Sequence, residues 1–149
     1  MNRIQLFCWR LLVATTAGLM LFGLVLVVMP GFTLQAFSLM VYASAAHLNT
    51  FGPEALAYIR LVHAVLGSLM FGWGAVLMFL ALGPVRRGSK EAWWMFVVSL
   101  CAWFIADTAY SLLSGFWQNA LLNAGFALLF AIALNGLRSF TTQVPMPRC

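Results

Sequence analysis

LVHAVLGSLMFGWGAVLMFLAL, residues 61–82, decides the fold class. The stretch contains no Asp, Glu, Lys or Arg. Wound as a helix at about 1.5 Å per residue, it is about 33 Å long, which matches a hydrocarbon core roughly 30 Å thick. Residues 11–29, 92–113 and 116–137 have the same character, and Asp107 is the one charged residue among them. The pattern predicts an all-α protein: a four-transmembrane-helix bundle, a single integral membrane domain over residues 1–149. An extracytoplasmic cap, about residues 31–53, should lie between the first and second helices.

Composition excludes a soluble monomer. The chain is 64% hydrophobic and 7% charged, whereas a soluble domain carries about a quarter charged residues. The net charge of +5 does not indicate nucleic acid, because the basic residues stand at span ends. Arg3 and Arg10 precede the first span, Arg86, Arg87 and Lys90 lie between the second and third, and Arg138 and Arg148 follow the fourth. Four crossings put these regions on one side and Arg60 alone on the other. Lys and Arg are retained in the cytoplasm, so both termini and the second connection should be cytoplasmic, in a bacterial inner membrane. The Arg86–Arg87 pair is also suited to anionic lipid head groups.

The first span reads as a membrane helix and not as a cleaved leader. Its apolar run is too long for a signal h-region, and Ala43-Ser44-Ala45 lies well past its end. Pro30-Gly31 should end that helix. The cap is apolar for a connection, with Phe32, Leu34, Phe37, Leu39, Met40, Val41 and Tyr42. Helix and hairpin both fit it. The second helix should open at Pro53-Glu54 and close at Gly83-Pro84. Gly18 and Gly23 mark places for close packing on the first helix. Ala64, Ser68 and Gly72 recur every four residues on the second, a seam for a neighbouring helix or a second copy of the chain. The Ser114-Gly115 connection makes the third and fourth helices antiparallel neighbours.

Within the spans the polar residues gather in one layer. Asp107 comes first, because a lone carboxylate at the centre of a spanning helix costs about 2.5–3.5 kcal/mol on insertion scales and needs partners. Trp103, Asp107 and Ser111 share a face, with Tyr110 beside them. Folding the second and third helices about the Arg86 loop brings His63 within a helical step or two of Asp107. Arg60 then stands about 7 Å further out by the helix rise. Folding the third and fourth about Gly115 sets Asn123 level with Asp107 and Asn119 one turn beyond.

Two readings follow for Arg60, His63, Asp107, Tyr110, Ser111, Asn119 and Asn123. They form either a structural cluster centred on an Arg60–Asp107 ion pair or a ligand site. In the second case Asp107 and His63 are the candidate catalytic pair, exchanging a proton. No metal motif is present, and no cofactor is expected, since haem ligation by His47 and His63 would need the cap to fold inward. The three cysteines form no Cys-x-x-Cys, which argues against thiol redox chemistry.

The stretch Tyr58-Ile-Arg60-Leu-Val-His63-Ala-Val-Leu-Gly67 with Gly72-Trp73-Gly74, and Trp103-Phe-Ile-Ala-Asp107-Thr-Ala-Tyr110-Ser111 followed by Asn119 and Asn123, resemble the small bacterial four-helix membrane proteins of the DoxX-like kind. The resemblance covers about residues 55–137. It implies a membrane bundle, in some members with respiratory or redox partners, and assigns no catalytic residue. A fainter similarity is to membrane sterol isomerases and sterol-binding proteins of the emopamil-binding kind, whose fuller acidic and aromatic set this chain lacks. The leading expectation is a non-catalytic membrane protein, an accessory subunit or a binder of a lipophilic ligand. Its partners are the bilayer and a ligand or membrane protein. The rivals are an isomerase- or cyclase-type enzyme using Asp107 and His63, and a small transporter.

Overall fold

The computed structural model describes residues 1–143, with side chains as far as Thr141. Arg148 and Cys149 lie outside the described residues. All regular structure among the described residues is helical. Four helices are long and apolar enough to cross a membrane: Arg3–Val28, Pro53–Val85, Lys90–Leu113 and Trp117–Thr141.

Helix α1 (Arg3–Val28) begins eight residues before the apolar run because its end is capped. Asn2 N donates to Gln5 Oε1 and Gln5 N to Asn2 Oδ1, both across 2.8 Å. This reciprocal pair satisfies two backbone donors that a helix start leaves open. At the far end Pro30 interrupts the helix, as its missing N–H and ring require. Met29 takes φ −125° and ψ 55°, and Pro30 becomes the first residue of α2 (Pro30–Tyr42). The 31–53 segment is therefore helical, not a hairpin. At 13 residues, about 20 Å, α2 is too short to cross a bilayer. It ends at Ala43 in the left-handed region, φ 54°, where Ser38 Oγ donates to the Ser44 carbonyl across 2.7 Å. A 3₁₀ segment, Ala45–Thr50, follows. There His47 is stacked on Tyr42 at 3.9 Å between ring centroids and meets the edge of Phe51.

Helix α3 (Pro53–Leu80) does not stop at Gly83-Pro84. It widens into a π turn, Ala81–Val85, with Pro84 inside. Helix α4 (Lys90–Leu113) is capped by Ser89, whose Oγ accepts from Ala92 N across 3.1 Å. It ends in a left-handed turn at Gly115, φ +81°. Gly115 N donates to Leu112 O and Phe116 N to Ser111 O, which closes the exposed carbonyls of the last turn. Helix α5 (Trp117–Gln143) continues six residues beyond the apolar run that ends at Leu137.

The chain divides into two compact units, Met1–Ala17 with Val76–Cys149, and Gly18–Ala75. In the second unit α1 crosses α3 through glycines. A Cβ at Gly23 would stand 2.7 Å from Gly67 O, and one at Gly67 would collide with Gly23 O. Gly74 meets Met20 in the same way. The expected row is different: Gly72 and Gly18 have nothing within 4 Å of a built Cβ, and Ser68 and Gly72 are exposed. Gly67 and Gly74, not Ser68 and Gly72, let the backbones approach.

In the first unit α4 and α5 form an antiparallel hairpin around Phe96 and Phe130, both almost fully buried. Trp93 Nε1 donates to Leu134 O across 2.8 Å. The start of α1 joins them. Cys8 fills the space a side chain at Gly136 would need, and Trp9 Nε1 donates to Ala81 O across 2.9 Å. Large apolar side chains remain on the outside, Leu113 at 89% and Phe79 at 72% exposure. A bilayer covers such a surface where water would not.

Candidate functional site

The α4–α5 hairpin assembles part of the expected polar layer. Its register follows from the short Ser114–Phe116 turn, which leaves α5 no choice of depth against α4. Asn119 Nδ2 donates to Asp107 Oδ1 across 3.1 Å and to Ser111 Oγ across 2.8 Å. An amide has two N–H donors, so one Asn serves both acceptors. The Ser111 hydroxyl donates back to the Asp107 carbonyl across 2.7 Å, a local bond that helical Ser favours. Asp107 is half-buried and Ser111 is buried.

Asn123, expected level with Asp107, bonds its neighbour instead. Its Nδ2 donates to Thr108 Oγ1 across 3.4 Å, at the long limit of a hydrogen bond. Asp107 is met by Asn119, one turn further out than Asn123. Thr108 is a member of the layer that residue type alone did not single out. The depth construction that levels position 123 with 107 already points to it. Tyr110 stands apart, 72% exposed.

Arg60 and His63 belong to the second unit. Arg60 is exposed. The His63 ring lies 5.0 Å from that of Phe37 on α2. Its Nδ1 is buried without a hydrogen-bond partner among the described residues. Among the described residues no three His, Cys, Asp or Glu side chains converge as a metal site would require.

Beside the polar group runs a groove that hydropathy cannot reveal. It is an open apolar cavity of about 320 Å³ along α4 and α5, bounded by Trp93, Leu100, Trp103, Ala127, Ala131 and Asn135, with Cys101 in its wall. Trp103 is one turn from Asp107, and Ala127 is one turn from Asn123. The lining thus stops about a helical turn short of Asp107 and Asn123. Such a lining suits an apolar molecule, and the nearest polar side chains beyond it can donate and accept.

No known protein family, curated protein or solved structure matches this chain.

Proposed function

We propose that this chain is a non-catalytic multi-pass protein of a bacterial cytoplasmic membrane. In this reading it holds a lipophilic molecule along α4 and α5, with both termini cytoplasmic. The observation that carries the reading is the apolar groove of about 320 Å³ whose lining ends about a turn from Asp107 and Asn123. The apolar body of the ligand lies between the indole rings of Trp93 and Trp103. Its polar group reaches Thr108, Asn123 or Asp107. The orientation rests on the basic residues at the α1 start, just after the π turn and near the α5 end.

Native mass spectrometry of the protein purified from its own membranes tests the reading. The wild type should retain a lipophilic molecule of defined mass. Ala131→Trp, which fills the groove, should lose it while keeping helical content. Retention unaffected by the filled groove, or no retained molecule, would overturn the proposal. Conversion of the extracted molecule to an isomer on incubation with fresh protein, read by chromatography, would favour the enzyme instead.

A further inference from the structure

We infer that Arg86, braced on Trp9, and its neighbour Arg87 form a binding site for the phosphate of an anionic glycerophospholipid at the membrane surface. The sequence suggests contact between the pair and anionic head groups; the structure supplies the geometry of a site. The Arg86 guanidinium carbon lies 4.7 Å from the centre of the Trp9 ring. That ring is itself held by the Trp9 Nε1 bond to Ala81 O at 2.9 Å. Ala81 opens the π turn that ends at Val85, so the two arginines follow directly on a fixed piece of backbone. The Arg87 guanidinium folds back over Gly83, 3.7 Å from where a Cβ would stand.

Stacking engages the face of a guanidinium and leaves its five N–H donors free at the edge. No hydrogen bond or ion pair among the described residues takes the donors of Arg86 or Arg87. The backbone offers no competing anion site, because Arg87, Gly88 and Ser89 N–H groups already bond to Gly83, Pro84 and Val85 carbonyls. The nearby acid, Glu91, accepts from Ser89 Oγ. Forks on two consecutive, exposed residues, with unused edges, suit a phosphodiester, which accepts paired N–H donors. Trp9 and the exposed Trp94 stand beside the basic residues Arg10 and Lys90 near the starts of α1 and α4, and indoles settle at head-group depth. The lipid is therefore the source of phosphate that this site meets. This inference is independent of the groove ligand.

A generic attraction of basic ends to anionic membranes would scale with charge alone. The proposed site depends on geometry, and that separates the two. The full-length protein is placed in nanodiscs of mixed phosphatidylcholine and phosphatidylglycerol, and the lipids carried over are counted by native mass spectrometry. The wild type should retain phosphatidylglycerol preferentially. Arg86→Lys, which keeps the charge and loses the fork, should lower that preference about fivefold. Trp9→Phe, which keeps a ring but not its anchoring bond, should lower it less. Arg3→Gln, which removes a charge elsewhere, should leave it nearly intact. Helical content by circular dichroism confirms that each variant is folded. Equal loss for Arg3→Gln and Arg86→Lys, or a wild-type preference in Arg86→Lys, would overturn the inference, as would no preference in the wild type.

Discussion

The side-chain amide of Asn119 donates to the carboxylate of Asp107 across 3.1 Å, so the single acid within the apolar spans is held by a neutral group. The same amide nitrogen reaches Ser111, which in turn bonds the Asp107 backbone. Polar closure of the hairpin is a chain of three side chains from two helices.

That arrangement predicts an asymmetry at position 107. Asp107→Asn keeps an oxygen where Asn119 donates, and should change unfolding free energy by less than about 1 kcal/mol. Asp107→Leu removes the acceptor and leaves the amide unpaired, at about 1–2 kcal/mol. Unfolding in mixed micelles with increasing dodecyl sulfate measures both. Equal loss in the two variants would mean that the negative charge itself, and not the acceptor, holds the helices.

The crossing of α1 and α3 predicts a second asymmetry. Gly67→Ala places a methyl against Gly23 O and Leu26, and overpacking of this kind costs about 1–3 kcal/mol. Gly72→Ala meets nothing within 4 Å, and should be neutral or slightly stabilising, since Ala is the better helix former by up to about 1 kcal/mol. Thermal unfolding in detergent compares them. A destabilised Gly72→Ala protein with an intact Gly67→Ala protein would reverse the assignment of the seam.

The cysteines report on the groove. Cys101 is exposed in its wall, whereas Cys8 is buried against Gly136. In a Cys149→Ser background a membrane-permeant maleimide should therefore modify Cys101 in the folded protein and spare Cys8. Ala131→Trp should slow that reaction by narrowing the groove. Peptide mapping after labelling reads both sites, and modification of Cys8 ahead of Cys101 would contradict the packing.

Reporter fusions test the orientation. A fusion after Arg138 and one between Arg87 and Lys90 should both read cytoplasmic, since the basic residues flanking the spans at these ends are of the kind retained inside. A fusion at Thr50 should read extracytoplasmic. The opposite pattern would invert the protein in the membrane.

The four long helices were legible in the chain because hydropathy over some twenty consecutive residues is a local property, and a bilayer demands nothing more of a span. The α4–α5 register was nearly legible for a related reason. A turn as short as Ser114-Gly115 leaves little freedom, so the depths of Asp107, Asn119 and Asn123 followed from counting residues. The cap of α1 was also written locally, as Asn2 and Gln5 three residues apart, although apolar run length alone places the helix start too late. Tertiary structure decided the rest. Gly67 and Gly74, rather than Ser68 and Gly72, meet α1, because helical spacing defines several faces and only a neighbour selects one. Asn119 rather than Asn123 bonds Asp107, since a hydrogen bond is settled by side-chain direction to within about an ångström, finer than counting turns. The Trp93–Trp103 groove and the Arg86–Trp9 stack arise where residues distant in sequence leave or fill space, and space between helices is a property of packing, not of any segment read alone.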